Sequence, residues 1–305
     1  MGRWERALTA AGVDGPELRE DYGRQRRQVI DYRREVALGA MALLPARMIP
    51  HVFAAAAFMH RTDDLLDSGP VAGRRAAAER WRRETVEALE RGRTDHPELR
   101  PLLHSVEAHP ALGRHVRDYL AAAEADLDFT GFATEDDYQR YVDAYALPGF
   151  MVVAGLLGPD GADERAAYRA ACRTFIDSSQ RFDFVNDLAE DLAGGRLTIP
   201  AETLDRHGVT RADLEQARDL PAVRALILDL LDRADRSRAE GAPVVDLAPA
   251  AHRPMMRCTI EVEALTSAAA RTDPAALLRR SASPSKWGAL RLLVREYRRA
   301  RPYRD

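Results

Sequence analysis

The chain has 305 residues, of which 46% are hydrophobic and 30% charged, so it is long enough to bury a large core and too balanced in composition to be disordered. Its 45 basic and 48 acidic side chains give a formal net charge of −3, which argues against a protein that binds nucleic acid through a basic surface. Lys286 is the single lysine among these basic residues.

Taken in chain order, the apolar residues recur with the period of α-helices almost everywhere, and no run alternates as a half-buried strand would. The sequence therefore predicts an all-α protein. The predicted helices cover residues 4–11, 17–42, 46–67, 70–92, 98–107, 111–129, 135–157, 162–192, 200–207, 211–217, 221–239, 247–271 and 274–299. Thr134 and Thr210, each followed by aspartate three residues later, predict capping boxes, and Asp273 before Pro274 predicts another helix start.

The chain is predicted to form one unit with a central cavity. No segment rich in Pro, Gly or Ser is long enough to separate two domains, so we expect residues 1–305 to fold as a single helical bundle that encloses a cavity between facing helices. The apolar stretches 52–59 and 146–158 are shorter than a membrane span, and the N-terminus lacks the apolar segment of a signal peptide. We expect a cytoplasmic protein with no transmembrane segment. Its oligomeric state stays open.

The two cysteines, Cys172 and Cys258, are too few for a disulfide framework or a cysteine-rich zinc site. Their flanking residues have helical patterns. We therefore expect free thiols in the core.

The first acidic cluster, Asp63-Asp64-x-x-Asp67, ends a helix that is otherwise apolar back to Val52. Asp63 and Asp67 are one turn apart, about 6 Å along the helix axis. Like charges at this spacing repel one another, and carboxylates at a helix C-terminus oppose the macrodipole, so the arrangement costs stability unless a cation binds there. A solvated surface cluster is the alternative, and this motif alone does not decide between them.

The second acidic cluster places Asp183, Asp187 and Asp191 at i, i+4 and i+8, with Glu190 adjacent. On one helix face, these carboxylates would suit a hard divalent cation that takes oxygen ligands. Two facing helices with such clusters predict a Mg²⁺ site that binds a substrate diphosphate and neutralises it as a leaving group.

Both clusters and their surroundings resemble the squalene/phytoene synthase family of isoprenoid enzymes. Its first aspartate-rich region is matched by Leu43-Leu44-Pro45 followed by residues 51–67, and its second by residues 183–191 followed by 195–200 and 204–214. Residues 129–141 and Ser285-Lys286-Trp287 extend the likeness. The resemblance implies an α-helical isoprenoid synthase fold and Mg²⁺-assisted ionisation of an allylic prenyl diphosphate to a carbocation.

Roles are carried over from the family to matching positions. The residues implied as metal ligands are Asp63, Asp67, Asp183, Asp187, Glu190 and Asp191, with Asp64 as a supporting acid at the substrate. Asp183 stands where the family usually has asparagine. Arg196 is implied to contact the diphosphate or to lock the second motif, and Lys286 either reaches the phosphates or lies on a solvated terminal helix. The family tyrosine falls on Tyr141 in one alignment and is lost to Gly149 in another; we favour Tyr141.

Five positions depart from the family together, where its members grip a second, acceptor diphosphate. A Ser-Phe pair is replaced by Val36-Ala37, a tyrosine by Ala56, one arginine by His60 and another by Asn186. Each charge-assisted hydrogen bond to a diphosphate contributes about 1.5–3 kcal/mol, so these changes together predict that the acceptor-diphosphate site is lost. Donor ionisation is expected to remain.

Ala56 lies in the run Ala54 to Ala57 and is expected to leave room for a flat, uncharged acceptor beside the carbocation. His60 or an oxygen of the released pyrophosphate would take the proton, unless His60 is a structural core residue. The first hypothesis is therefore a Mg²⁺-dependent prenyltransferase of secondary metabolism that moves a dimethylallyl or longer group onto a small carbazole- or indole-like acceptor. It is similar to the carbazole-type side branch of the family.

Three alternatives remain. A conventional head-to-head synthase would condense two prenyl diphosphates, and a class I terpene cyclase would use a single diphosphate without an acceptor. A non-catalytic isoprenoid-binding subunit is the third, although the intact acids on both predicted helices argue against it.

Overall fold

The described part of the chain is helical and contains no strand, which confirms the all-α prediction. The structure is a computed structural model that describes residues 1–32, 34–67, 71–127, 129 and 131–305, without the side chains of residues 67, 71, 72 and 124–126. The α-helices are α1 Arg3–Ala10, α2 Pro16–Tyr32, α3 Arg34–Leu43, α4 Ile49–Asp67, α5 Val71–Arg91, α6 Arg100–Ala108, α7 Ala111–Leu127, α8 Glu135–Tyr141, α9 Leu147–Leu157, α10 Ala162–Asn186, α11 Leu188–Ala193, α12 Ala201–His207, α13 Arg211–Glu215, α14 Pro221–Gly241, α15 Val244–Leu247, α16 Arg253–Ala270 and α17 Lys286–Ala300.

Two helices begin at the predicted capping boxes. The hydroxyl of Thr134 accepts a hydrogen bond from the backbone N–H of Asp137, whose carboxylate accepts one from the backbone N–H of Thr134 at the start of α8. Thr210 and Asp213 form the same reciprocal pair at the start of α13. Local side-chain chemistry therefore determines both starts.

Four predicted helices are interrupted. The one over 247–271 is not helical at 248–252, because α15 ends at Leu247 and α16 begins at Arg253. The one over 135–157 contains a π-helical turn at Val142–Ala146. The one over 162–192 breaks at Asp187, where φ is −97° and ψ is 11°, so the acids of the second cluster do not share one regular helix. The prediction for 274–299 is wrong between 279 and 285, because Pro284 disfavours helix there, and α17 begins only at Lys286.

The core is built around α4 and α10. Helix α4 packs against α2, α5, α6, α7 and α9, and α10 packs antiparallel to α14. The hydroxyl of Ser178 donates to the carbonyl of Ala234 at 3.0 Å. At Gly241 a Cβ would lie 2.8 Å from Cα of Phe175, so α10 and α14 can approach this closely only because the residue is glycine. No described helix is both long enough and apolar enough to cross a membrane.

Both cysteines are free thiols, as predicted. Cys172 is buried and Cys258 half-buried. Burial raises the pKa of Cys172 to about 12 and that of Cys258 to about 11. Both side chains are therefore neutral at physiological pH.

Candidate active site

A cavity of about 360 Å³ lies between α4 and α10, with further walls from α2, α3, α9, α15 and α16. Its lining is mostly apolar. Two carboxylates line it, Asp63 from α4 and Asp183 from α10, and the described lining includes no arginine or lysine. One member of each acidic cluster therefore borders the same volume.

Two tyrosine hydroxyls hold the carboxylate of Asp63. Tyr119 of α7 donates a hydrogen bond to Oδ1, and Tyr145 donates to the same oxygen at 3.0 Å. Tyr119 is buried, and Tyr145 belongs to the π-helical turn, a feature that is frequent at functional sites. These charge-assisted bonds fix the orientation of Asp63. Neither tyrosine was among the residues predicted from the sequence.

The remaining residues of the first cluster differ in their surroundings. Asp64 is exposed on the last turn of α4. Asp67 is the final residue of α4, and its side chain lies outside the described ones.

His60 and Ala56 both line the cavity one and two turns before Asp63. His60 is 8% exposed, and its ring stacks on that of Tyr32 with 3.8 Å between ring centroids and 30° between planes. Tyr32 also lines the cavity and is half exposed. An aromatic pair therefore borders the cavity where it reaches the surface.

The second cluster continues from Asp183 along the break in the helix. Asp187, at the break, accepts a hydrogen bond from the hydroxyl of Ser281 at 3.1 Å. Asp191, in the first turn of α11, accepts one from the hydroxyl of Thr198 at 3.3 Å. Glu190 is exposed.

Arg196 lies against the second cluster. Its backbone N–H donates to the carbonyl of Asp191 at 2.8 Å, and its guanidinium lies 5.1 Å from the ring centroid of Phe129. Burial raises the pKa of Asp191, and the positive charge of Arg196 opposes that rise. Of its two predicted roles, these contacts support locking the second motif.

Five predicted substrate residues lie outside the described cavity lining, namely Asp64, Arg196, Tyr141, Asn186 and Lys286. Tyr141 packs in an aromatic cluster that includes Phe129 and Tyr145. Asn186 uses its amide on the backbone of Ala282, accepting from the N–H at 2.8 Å and donating to the carbonyl at 3.5 Å. Lys286 is exposed at the start of α17.

The carboxylate oxygens of these acids are suitable ligands for a magnesium ion. No three described Asp, Glu, His or Cys side chains come close enough together to bind a metal without other ligands. Mg²⁺, however, usually takes one or two carboxylates and completes its shell with waters and substrate phosphates. Asp63 and Asp183, which line one cavity from different helices, fit such a site.

Sequence comparisons relate the chain to known enzymes. The family model for squalene/phytoene synthase matches residues 32–288. The chain is 28% identical over 229 residues to presqualene diphosphate synthase of Sinorhizobium fredii, covering 71% of this chain and 78% of that protein. It is 28% identical over 222 residues to the bifunctional protein CrtB/UppS of Streptomyces coelicolor and 30% identical over 145 residues to 15-cis-phytoene synthase of Enterobacter agglomerans, covering 72% and 46% of this chain. It spans only 38% and 47% of the lengths of these two relatives.

Solved structures share the fold. A crystal structure of a dehydrosqualene synthase in complex with ligand superposes with a TM-score of 0.81 and 20% identity, covering 94% of this chain and 99% of that one. The crystal structure of squalene synthase HpnC from Alicyclobacillus acidocaldarius superposes with a TM-score of 0.68 and 24% identity, covering 88% of this chain and 95% of that one. These likenesses confirm the isoprenoid synthase fold. Members of the matched family are prenyltransferases that use prenyl diphosphates. The match over residues 32–288 shows that the chain belongs to the squalene/phytoene synthase family.

Proposed function

We propose that the chain is a Mg²⁺-dependent prenyltransferase that ionises one allylic prenyl diphosphate and transfers the prenyl group to a small, neutral, aromatic acceptor. The observation that carries this proposal is the cavity lined by Asp63 and Asp183, whose described lining is otherwise mostly apolar and includes no arginine or lysine. Burying a second diphosphate against the described walls, which offer it no arginine or lysine, costs several kcal/mol or more. A neutral ring needs no such partners.

The positions that depart from the family pattern support the same proposal. Val36, Ala37, Ala56 and His60 come from two different helices, yet all four line this one cavity. Their small or apolar side chains, together with the imidazole of His60, form a surface that suits a flat ring. Four of the five departures therefore line a single volume where the acceptor would bind, and the fifth, Asn186, lies outside the described lining.

The size of the cavity also favours a short donor and a small acceptor. A cavity of about 150 Å³ holds benzene, which corresponds to about 25 Å³ for each ring carbon. On that scale the 360 Å³ cavity holds about 14 non-hydrogen atoms. A dimethylallyl group with a bicyclic ring such as indole matches this size.

The proposed roles of the chain's residues follow from their positions. The acids proposed to hold magnesium are Asp63, Asp67, Asp183, Asp187, Glu190 and Asp191. When bound, magnesium would neutralise the diphosphate as it leaves with the electron pair of the allylic C–O bond. Tyr119 and Tyr145 orient the carboxylate of Asp63, and the apolar walls exclude water from the carbocation. A ring carbon of the acceptor forms the new bond, and its proton passes to the imidazole of His60 or to a pyrophosphate oxygen.

A head-to-head synthase that condenses two prenyl diphosphates is the second candidate. The names of the relatives favour it, because they identify a presqualene diphosphate synthase and a phytoene synthase. These comparisons fit the head-to-head alternative better than they fit transfer to an aromatic acceptor.

One set of incubations separates the two candidates. With Mg²⁺, dimethylallyl diphosphate and an electron-rich indole or carbazole, we expect acceptor-dependent release of pyrophosphate and a prenylated ring detected by mass spectrometry. A C30 or C40 product from farnesyl or geranylgeranyl diphosphate, with no prenylated ring, would refute the proposal and identify the head-to-head synthase.

Matched variants test the acids. Asp63→Asn should abolish pyrophosphate release, because the cavity loses one of its two carboxylates. Asp205→Asn removes an exposed acid on α12 and should leave the rate unchanged.

A further inference from the structure

Helix α17 has two apolar faces. On one face Leu292 and Ala300 are buried, and the helix packs there against α16 and α3. The exposed apolar side chains on the other face are Trp287 at 72%, Leu290 at 48%, Val294 at 41% and Tyr297 at 40%. With 3.6 residues per turn, these four lie within an arc of about 80° and extend for about 15 Å along the helix. We call these four residues the α17 stripe.

The core does not use the α17 stripe. Leu292 and Ala300 are 4% and 0% exposed, and Glu296 between them is buried and paired with Arg257. Single exposed apolar residues are common on soluble proteins, but these four large ones lie along one helix face, where Arg304 also stacks on the ring of Tyr297 at 4.2 Å. Such a patch indicates contact with another apolar surface.

Cationic side chains accompany the stripe. Lys286, Arg291, Arg298 and Arg301 are exposed and form no ion pair with any other described residue. The whole chain carries a net charge of −3, so this concentration of positive charge is local. Apolar residues with tryptophan and tyrosine, next to unpaired arginines, complement an interface of anionic headgroups and acyl chains.

We propose that the α17 stripe docks the protein on an anionic lipid surface. A second copy of the chain fits less well, because a symmetric contact of the stripe with itself would bring Arg291 and Arg298 close to their own copies. The charge therefore selects a lipid surface as the partner.

The stripe lies on an element that packs next to a cavity wall. Helix α17 packs against α3, which supplies Val36, Ala37 and Ala40 to the cavity. Val36 is 49% exposed, so the cavity reaches the surface along α3. Docking through α17 would hold α3 close to the lipid, where apolar substrates and products accumulate.

Vesicle binding tests the proposal. The intact protein should co-sediment with vesicles of phosphatidylglycerol and phosphatidylcholine, and not with phosphatidylcholine alone, and high salt should weaken the binding. Of the three tryptophans, Trp4 and Trp81 are buried, so a blue shift of fluorescence on binding would report on Trp287. An unshifted spectrum, or no binding to anionic vesicles, would overturn the proposal.

Paired variants locate the surface. Leu290→Ser with Val294→Ser should lower the vesicle-bound fraction about tenfold without changing the melting temperature or prenyl transfer from water-soluble substrates. Leu220→Ser with Leu247→Ser changes two leucines of similar exposure, 40% and 41%, outside α17 and should bind as the unaltered protein does. An equal loss of vesicle binding in both double variants would contradict lipid docking. So would a dimer on a sizing column that only the α17 double variant disrupts.

Discussion

Restoring the family's tyrosine at Ala56 should separate donor ionisation from acceptor transfer. Ala56 lies on the cavity wall, and Ala56→Tyr adds seven non-hydrogen atoms. At about 25 Å³ per atom they occupy about 175 Å³, roughly half of the 360 Å³ cavity. Helix α4 should stay folded, because the ring enters existing space; Ala54 and Ala55, by contrast, are fully buried.

We expect Ala56→Tyr to lower kcat/KM for the acceptor by at least about 100-fold, which corresponds to about 2.7 kcal/mol of transition-state stabilisation. The tyrosine ring would occupy the space of the acceptor. The carboxylates of Asp63 and Asp183 are untouched, so dimethylallyl diphosphate should still ionise and be captured by water. Ala56→Ser adds one atom and should behave as the unaltered protein.

Two assays on the same samples measure acceptor prenylation and donor ionisation separately. Mass spectrometry quantifies the prenylated acceptor, and a coupled assay quantifies pyrophosphate, while thermal unfolding confirms that the variant is folded. Normal prenylation by a folded Ala56→Tyr protein would show that the acceptor does not bind beside Ala56. Loss of both activities would show that the two steps do not separate in this way.

Three further predictions concern a hydrogen bond, a buried histidine and a helix crossing. Tyr145→Phe removes one of two hydroxyl donors to Asp63 and should lower the rate of pyrophosphate release about tenfold, about 1.4 kcal/mol; an unchanged rate would contradict a positioning role. Burial lowers the pKa of His51 from 6.5 to about 3, so the unfolded chain binds the proton first, and the contribution of His51 to stability should fall as pH drops below 6.5, by about 2 kcal/mol at pH 5. Urea titrations at several pH values should show that the free energy of unfolding depends less steeply on pH in His51→Gln than in the unaltered protein. Gly241→Ala, with a Cβ 2.8 Å from the α10 backbone, should lower the melting temperature by about 2–5 °C, whereas Gly73→Ala, in open space on α5, should raise it slightly.

Helix positions could be predicted where the signal is local. The starts of α8 and α13 depend on Thr134 and Thr210 and on the aspartates three residues later, all within one turn. The break at Asp187 could not be predicted in this way. There the carboxylate contacts Ser281, 94 residues further along the chain. Such a contact has no periodic signal, because it depends on how separate segments pack.

The same distinction applies to the candidate site. The acids are visible in the sequence because their spacing is unfavourable without a cation. The two tyrosines that hold Asp63 are not. Tyr119 is 56 residues away and reaches Asp63 only because α7 packs against α4, and Tyr145 reaches it from a π-helical turn that the apolar pattern does not reveal.

Asn186 forms a structural contact at a position where the resemblance implies an arginine in the family. Its amide both accepts from and donates to the backbone of Ala282, whereas the arginine that the resemblance places in the family at this position has donors only. The segment 279–285 also reaches the second acidic cluster through Ser281 and Asp187. The resemblance implies that the family's side chain at this position binds a second diphosphate. In this chain the side chain instead holds residues 279–285 beside the acids proposed to bind the first diphosphate. Restoring arginine alone would therefore remove both hydrogen bonds between the Asn186 amide and Ala282, which hold residues 279–285 in place.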